Sequence, residues 1–240
     1  MIDLTIVIVN YNYARYLQRC LDSCFAQENY CSLEIILVDD GSTDNSLSLI
    51  KNIKKKNFKV ISTKNNGIEK SANLGFKKSK GKFLLRVDAD DYLQKNYLRE
   101  IYGHLNKNYA FFYSDYFLVN SSGKKIKRKK LPKFSKSEIL TRGDFLATGT
   151  IYRKEIIKKM GYYNEKIKNS GLENYSLILD LLMNKFKGMH INKALFNHTR
   201  HNNNLSLKDK ARIKKYGEQL FQKKKLHSYK ININHPYLFV

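Results

Sequence analysis

Short apolar runs that alternate with helical patterns constrain the fold of this chain more than any other feature. Residues 4–9 and 33–38 are apolar and rich in β-branched side chains, as expected for strands that helices cover on both faces. Each run ends in polar residues and leads into a segment with helical periodicity. Because parallel strands need long crossover connections, this β-α-β-α order predicts an α/β fold with a mostly parallel central sheet and helices on both faces.

The same order continues to about residue 105 and then breaks. Before the break, strands are also predicted at residues 58–62 and 82–87, and helices at residues 13–26, 46–56, 68–78 and 94–105. After it, the patterns indicate one or two strands at 109–119, a solvated loop or hairpin arm at 124–133, a strand at 148–152, and helices at 154–160, 172–185 and 208–227. We therefore expect one domain over residues 1–206, with a parallel half (1–105) and a smaller mixed half (106–206), followed by a basic helical tail (207–240).

The net charge of the chain points to an anionic partner. Lys and Arg number 45 against 21 Asp and Glu, a formal charge of +24. Nucleic acid, an anionic membrane surface and phosphorylated small molecules are the three partner classes that would fit, although a general bias towards Lys, Asn and Ile would give the same excess. Cys20 and Cys24 lie one turn apart on one predicted helix and Cys31 follows in a loop. This spacing does not indicate a disulfide framework, so a reducing cytoplasm is expected.

Polar side chains follow the predicted strands at the points where they end. Three carboxylates, Asp88, Asp90 and Asp91, come directly after the strand at 82–87, and the polar residues expected at the shared edge are Tyr11, Asp39, Asp40, Asn66, Asp88 and Asp90. Ligands of open α/β sheets bind at the carboxyl ends of strands. Carboxylates spaced as Asp88 and Asp90 are hard oxygen ligands suited to Mg²⁺ or Mn²⁺. The alternative is that Asp90 and Asp91 only cap the next helix.

The order of these signals resembles the family 2 glycosyltransferases. The resemblance rests on motifs that follow one another in the sequence: 5–12 with Asn10-Tyr11-Asn12, 38–44 with Asp39-Asp40-Gly41-Ser42, 66–75, 88–91, 161–165, 173–177 with Glu173-Asn174, and 201–206 with His201-Asn202-Asn203-Asn204. It implies a single domain of the GT-A fold. Residues 1–105 would then be the nucleotide-sugar-binding half and residues 106–206 the acceptor-side half.

The resemblance also implies roles for individual residues. Tyr11 would pack on the nucleobase and Asp39 would accept a hydrogen bond from it. Asp88 would face the ribose, Asp90 would hold Mg²⁺ or Mn²⁺ on the diphosphate, and His201 would reach the metal or the diphosphate. Three amides in the same motifs complete the expected nucleotide-sugar site, namely Asn10, Asn66 and Asn73.

Two positions depart from the family pattern. Ala72 stands where relatives often carry Arg, so Lys70 or Arg86 would have to grip the diphosphate. Asn174 stands where relatives typically carry the Asp that acts as catalytic base, and an amide cannot take up a proton. Glu173 is then the remaining candidate for the catalytic base, with a plain role in the first helical turn as its alternative.

The resulting hypothesis is an inverting, metal-dependent hexosyltransferase. It would move a sugar from a nucleotide diphosphate-sugar, with UDP as the family-level choice, to a hydroxyl of a glycan or lipid-linked acceptor in surface polysaccharide or lipopolysaccharide synthesis. The basic segments at 51–59, 124–133 and 208–225 would hold this cytoplasmic protein at an anionic inner membrane face. Asn174 motivates a non-catalytic sugar-nucleotide binder as an alternative. A basic nucleic-acid-binding protein is a further alternative, but the carboxylate cluster argues against a nucleic-acid partner because it would repel phosphates.

Overall fold

The computed structural model describes residues 2–142, 146, 148–204, 207, 209–227 and 229. In chain order the strands are β1 (Leu4–Asn10), β2 (Leu33–Asp39), β3 (Phe58–Ser62), β4 (Phe83–Asp88), β5 (Tyr92–Leu93), β6 (Phe111–Asn120), β7 (Lys125–Lys129), β8 (Ile151–Arg153) and β9 (Gly188–Arg200). The helices are α1 (Ala14–Phe25), α2 (Ser46–Ile50), α3 (Ile68–Lys78), α4 (Tyr97–Ile101), α5 (Lys136–Arg142), α6 (Lys154–Lys159), α7 (Glu173–Met183) and α8 (Lys210–Lys223). A short 3₁₀ turn, Tyr102–His104, extends α4.

The nine strands found among the described residues form one sheet, in the order β3-β2-β1-β4-β8-β6-β9-β5, with β7 paired to the outer part of β6. The pairs β1–β2, β1–β4, β2–β3 and β6–β9 are parallel. Strand β8 is antiparallel to both β4 and β6, and β5 and β7 add further antiparallel pairs. The predicted single α/β domain with a mostly parallel sheet is therefore confirmed, and its parallel and mixed parts share one sheet.

The alternating side chains of the parallel strands supply two cores, one on each face of the sheet. From β1, Leu4, Ile6 and Ile8 pack with α1 and α4 on one face, whereas Val7 and Val9 pack with α3, α7 and α8 on the other. All seven residues of β1 are buried. Each such aliphatic side chain contributes about 1.5–3 kcal/mol on full burial, which explains why both faces of this strand are apolar in sequence.

The structure differs from the sequence expectations mainly at the ends of elements and in the second half. Helix α2 stops at Ile50 instead of residue 56, and the helix expected at 94–105 is α4 with its 3₁₀ turn. The segment at 124–133 is the second arm of a hairpin, since β7 pairs antiparallel with β6. Helix α5 and strands β5 and β9 were not expected from the sequence. Strand β9 escapes a pattern search because its burial does not alternate and its pairing with β6 shifts register near Ser114 and Asp115.

The basic segment near the end of the chain packs onto the domain. In α8, Ile213, Tyr216, Leu220 and Phe221 are buried in the same core as α7. Gly171, at φ +70°, allows this approach, because a Cβ there would lie 2.8 Å from the Ile213 side chain. The last part of the expected tail, residues 230–240, lies outside the described residues. Within the described part of the chain, no helix combines the length and apolar character needed to cross a membrane.

Candidate active site

The carboxyl ends of β1, β2 and β4 meet the beginning of α7 and the end of β9 at one edge of the sheet. We call this the acidic edge and define it by Asp39, Asp88, Asp90 and Glu173. Asn10, Asp39 and Asp88 are the last residues of their parallel strands, and the register pairs Asn10 with Asp39 and Val9 with Asp88. Strand pairing alone thus brings together side chains that are far apart in sequence.

Asp39 is fully buried and held by hydrogen bonds from two neighbouring loops. Its carboxylate accepts bonds from Asn10 Nδ2 (2.8 Å), from the Ser42 backbone N–H (3.0 Å) and from Ser42 Oγ (2.6 Å). Between these anchors the chain turns at Asn12, which has φ +58°. Tyr11 is consequently 41% exposed, so its ring is open to a ligand in the way that a stacking role requires.

Asp40 has a structural task at the same edge. Its two oxygens accept the backbone N–H groups of Asn66 and Gly67, each at 2.8 Å, while the Asn66 side chain donates to Thr63 Oγ1 (3.0 Å). Asp40 therefore fixes the loop that carries Asn66, which lies exposed beside β2.

Arg86 links two carboxylates of the acidic edge. Its guanidinium donates from Nη1 to Glu173 Oε1 (2.8 Å) and from Nη2 to Asp88 Oδ2 (3.1 Å), and its Nε lies 2.9 Å from Asp88 Oδ1. Burial alone would lower the pKa of Arg86, but Asp88, Tyr163 and Glu173 raise it well above its usual value. Burial, Asp90 and Glu173 raise the pKa of Asp88, although Arg86 opposes them. The sequence marked Arg86 only as a diphosphate grip; in the structure it neutralises carboxylates.

Glu173 is placed by the loop that precedes α7. The carboxylate of Glu69 in α3 accepts the backbone N–H groups of Asn169 (2.8 Å) and Ser170 (2.6 Å). Burial and the nearby Glu173 raise the pKa of Glu69. Glu173 itself is 7% exposed, and its Oε2 is buried with no hydrogen-bond partner among the described residues. Arg86 thus fixes Oε1 of Glu173, whereas Oε2 can accept a proton or a hydrogen bond from a ligand hydroxyl.

Asp90 and His201 are brought together from opposite parts of the chain. Asp90 Oδ2 lies 2.9 Å from His201 Nε2 and accepts a bond from Asn204 Nδ2 (3.2 Å). The His201 ring stacks on Tyr16, with ring centroids 4.9 Å apart. Burial and Asp91 raise the pKa of Asp90. The sequence identified Asp90 and His201 but missed Asn204 and Tyr16, of which only Asn204 lies in a motif.

Asp91 explains how the end of β9 reaches the acidic edge. Its Oδ1 accepts the backbone N–H of Thr199 (2.8 Å), and its Oδ2 lies 3.1 Å from His198 Nδ1. Burial lowers the pKa of His198, but Asp91 and Asp90 outweigh this effect and raise it. Asp91 is therefore an anchor for the strand that leads to His201, which a sequence pattern cannot reveal.

A divalent cation would find oxygen donors at Asp88 and Asp90. Asp88 Oδ1 is buried and lies 2.9 Å from Arg86 Nε, in a geometry that does not make a hydrogen bond, and Asp90 raises the pKa of Asp88 through like-charge repulsion. A cation beside the two carboxylates would relieve this repulsion. Among the described residues no group of three candidate ligands is assembled. The donor set therefore fits Mg²⁺ or Mn²⁺ that takes one or two protein oxygens and completes its shell with water and phosphate.

Asn73 and Asn174 lie deeper than the sequence suggested. Asn73 is 1% exposed and bonded to the backbone of Tyr163, as acceptor at 3.0 Å and donor at 2.9 Å, and to Glu165 Oε1 (2.8 Å). Asn174 donates from Nδ2 to Leu146 O (2.6 Å) and accepts the Tyr152 hydroxyl. Both amides are engaged in packing, and Asn73 does not join the residues that the acidic edge brings together.

Comparisons with known proteins agree with this architecture. The family model described as Glycosyl transferase family 2 matches residues 5–165. Chondroitin synthase of Pasteurella multocida (strain Pm70) is 31% identical over 221 residues, which is 86% of this chain and 21% of that protein. An uncharacterised glycosyltransferase of Haemophilus influenzae is 30% identical over 184 residues, covering 75% of this chain and 71% of its own. The chain thus spans about a fifth of the length of the synthase.

Solved structures share the fold at low sequence identity. TarS 1–349 of S. aureus in complex with UDP-GlcNAc superposes with a TM-score of 0.73 at 20% identity, covering 92% of this chain and 66% of that one. Mannosyltransferase PcManGT of Pyrobaculum calidifontis in complex with GDP-Man and Mn²⁺ gives a TM-score of 0.68 at 14% identity, covering 92% and 64%.

Proposed function

Since this chain belongs to glycosyl transferase family 2, we propose that it transfers a sugar from a nucleotide diphosphate-sugar to a hydroxyl group of a glycan or lipid-linked acceptor. UDP is the proposed nucleotide, supported by the UDP-GlcNAc complex of the TarS fold relative. The chondroitin synthase relative supports an acceptor in polysaccharide synthesis. Inversion, a hexose donor and a cytoplasmic location belong to the same proposal.

Each part of the acidic edge has a proposed task in this reaction. The exposed Tyr11 ring packs on the base, and Asp39, which Asn10 holds, binds the nucleoside together with Asn66. Asp88 faces the ribose, and Asp90 with His201 would hold Mg²⁺ or Mn²⁺. When bound, the ion would neutralise negative charge that grows on the departing diphosphate. The buried carboxylates would keep this region selective for a metal-bound nucleotide over a bare phosphate.

Glu173 is the proposed general base. Inversion needs a base on the face of the sugar opposite the leaving diphosphate, where it takes the proton of the attacking hydroxyl. The observation that carries this assignment is the buried Glu173 Oε2, which has no hydrogen-bond partner in the described residues while Oε1 is held by Arg86. Asn174 is unsuited to the task, because its amide cannot take a proton and is bonded to Leu146 O and Tyr152.

The test compares Glu173→Gln with the parent protein. UDP release is followed for a panel of UDP-sugars with Mn²⁺ and saccharide acceptors, and UDP binding is measured by calorimetry. We expect Glu173→Gln to lose about a hundredfold or more of its transfer rate and to keep its affinity for UDP. Glu218→Gln on the exposed side of α8 is the matched control and should behave like the parent. Near-parental transfer by Glu173→Gln would rule out this base.

A non-catalytic sugar-nucleotide binder is the second candidate, favoured by the engagement of Asn174 in packing. Asn174→Asp distinguishes the two candidates, because it places at position 174 the carboxylate that relatives typically use as base. This carboxylate would face Leu146 O without a hydrogen to donate. If neither the parent nor Asn174→Asp turns over any nucleotide-sugar while both bind UDP, the binder is supported. If Asn174→Asp gains transfer, position 174 is the site of a lost base.

Contact with an anionic membrane is proposed as a charge effect alone. The apolar side chains of α8 are buried in the domain, so only its basic face is available to a membrane surface. Each basic residue close to such a surface contributes about 1 kcal/mol. Co-sedimentation with anionic vesicles at low ionic strength, and its absence with neutral vesicles, is the expected result.

A further inference from the structure

A concave site lies at the opposite end of the sheet from the acidic edge. It is a pocket of about 650 Å³ where α7 has ended and β9 begins. Lys133, Lys136, Lys185 and Lys187 line it together with Phe134 and Phe186, and we call it the lysine pocket. The 13 residues of β9 lead from this pocket towards His201. At about 3.3 Å per residue the two sites are roughly 40 Å apart.

The turn that carries two of the lysines is fixed by backbone hydrogen bonds. Phe186 N donates to Leu181 O (2.9 Å), Lys185 N donates to Leu182 O (3.0 Å), and Lys187 O accepts from Ala110 N (2.9 Å). Lys185 holds a left-handed conformation with φ +62°. The positions of Lys185 and Lys187 on the rim are therefore set before any ligand arrives.

The opposite wall is anchored from beneath by β6. Leu131 N donates to Asp115 Oδ1 (2.9 Å), and the Tyr113 hydroxyl donates to Pro132 O (2.6 Å), which fixes the chain directly before Lys133. The Phe134 ring packs edge-on against Phe111, with centroids 5.1 Å apart. The pocket is thus a built concavity rather than a gap between loose side chains.

Close packing of the sheet completes the base of the pocket. Gly188 begins β9 directly over the Phe111 ring, and a Cβ at that position would lie 2.2 Å from it. Only a residue without a side chain lets the strand pass here, so Gly188 keeps Phe111 and, through it, Phe134 in place.

The lysine pocket carries a concentrated positive charge. All four lysine side chains are exposed, and none forms an ion pair with a carboxylate in the described part of the chain. Asp115, which contacts the lining residue His190 at 2.8 Å, is fully buried and neutralised by Arg128 (2.6 Å). Glu138 on α5 is paired with Arg142 (2.7 Å). The four charges are therefore available to an anion.

We infer that the lysine pocket binds an anionic segment of a polysaccharide. All four cations are lysines, which attract anions as hydrated point charges, whereas arginine would favour one fixed planar geometry. A polymer whose carboxylate or phosphate groups recur along a sugar chain matches such a loose set of charges. The inference rests on the proposed function: the polysaccharide that is extended at the acidic edge would also be held at the lysine pocket.

The shape of the pocket argues against the other anionic partners. A bilayer surface is flat, but these lysines surround a concavity. Single-stranded nucleic acid needs aromatic faces that are exposed to successive bases, whereas Phe134, Phe186 and the lining residue Tyr109 are each partly buried and pack on neighbouring residues. A sugar ring can lie against such partly buried aromatic edges while its charged groups meet the lysines.

The experiment measures binding of polygalacturonate, a polymer of uronic acids, to the whole chain at low ionic strength. A variant with Lys133, Lys136, Lys185 and Lys187 all replaced by Gln removes the proposed contacts. The matched control replaces four exposed lysines elsewhere, namely Lys51, Lys54, Lys56 and Lys78, by Gln. Both variants lose the same net charge. Thermal unfolding checks their folding, and the pair Lys133→Gln with Lys187→Gln is used if the first variant unfolds early.

We expect the pocket variant to bind polygalacturonate about tenfold or more weakly and with a shallower salt dependence, and the control variant to bind like the parent. Equal losses in both variants would mean a diffuse charge effect and would overturn the inference. So would absence of binding by the parent, or a poly-dT oligonucleotide that binds more tightly through the same lysines. Mn²⁺-dependent UDP binding, measured on the same samples, should be unchanged in both. If UDP binding is absent from the parent, the proposed transferase fails independently of the pocket.

Discussion

The two ends of the central sheet carry opposite charge and hold it in different ways. At the acidic edge, Asp39 and Asp90 are buried and each is bonded to specific side chains. At the lysine pocket, the charged lysine side chains are exposed, and hydrogen bonds fix the backbone segments that carry them. The carboxyl ends of parallel strands thus present anions, and the opposite end of the same sheet presents cations.

The difference reflects what burial costs an ionic group. A buried carboxylate must be paired or hydrogen-bonded because it has lost its water, so the acidic edge is built around Arg86, Asn10 and His201. Exposed lysines keep their hydration and need no partner. We therefore expect substitutions at the acidic edge to change stability and specific binding, and substitutions at the lysine pocket to change only salt-dependent binding.

The largest effect is expected from a pair of arginines that each bind a buried carboxylate. Arg86 lies at the acidic edge, and Arg128 binds Asp115, which anchors a wall of the lysine pocket. Arg86→Gln leaves Asp88 and Glu173 facing one another without their shared cation, and we expect a loss of about 3–5 kcal/mol in the free energy of unfolding. Arg128→Gln removes a partner of Asp115 from a side chain that is 37% exposed. His190 and the Leu131 N–H still hold Asp115, so about 1–2 kcal/mol is expected. Denaturant unfolding measures both, and equal losses would contradict the contrast.

The second-largest effect is expected from removal of Asp90, which should weaken nucleotide binding. Asp90→Ala takes away a proposed oxygen donor for the divalent ion, and Mn²⁺-dependent affinity for UDP should fall about a hundredfold, which equals about 2.7 kcal/mol. Asp22→Ala, at an exposed position of α1, is the control. Calorimetry with and without Mn²⁺ makes the comparison. Unchanged Mn²⁺-dependent binding by Asp90→Ala would remove Asp90 from the proposed metal site.

The smallest expected effect concerns Tyr11, the uncharged side chain next to the acidic edge. Tyr11→Ala should weaken binding of the free nucleoside uridine about tenfold through loss of stacking, with no change in the metal requirement or the salt dependence for UDP. Tyr102, which is also exposed (38%) and bonds to Asp3, supplies the control Tyr102→Ala. Equal affinity of Tyr11→Ala and parent for uridine would show that the base does not lie on this ring.

The first half of the fold follows closely from local sequence. Strands β1 to β4 and helix α3 lie where periodicity places them, since helices on both faces make these strands apolar throughout. Asp39, Asp88 and Asp90 could be placed at one edge because parallel strands end together. What sequence could not assign was the division of labour, such as Asp40 holding the 66–67 loop while its neighbour Asp39 bonds Asn10 and Ser42.

The second half depended more on contacts between distant residues. Strand β9 has no clean alternation, and only its position between β6 and β5 makes it a strand. The salt bridge between Arg86 and Glu173 joins residues 87 positions apart, and Asp90 meets His201 across 111 positions. No local pattern encodes such pairs, because the residues become neighbours only when the two halves share one sheet.

The sequence by itself determined the alternating strands and helices, the edge where polar side chains gather, and the excess of positive charge. These properties follow from side-chain periodicity and composition. Only the tertiary structure decided that Asp88 and Glu173 share the Arg86 guanidinium and that the Asn174 amide is bonded within the core. It also decided that four lysines from two distant segments surround one pocket. The reason is physical: burial and pairing of charges depend on distances in space, and those distances arise only when the whole sheet is assembled.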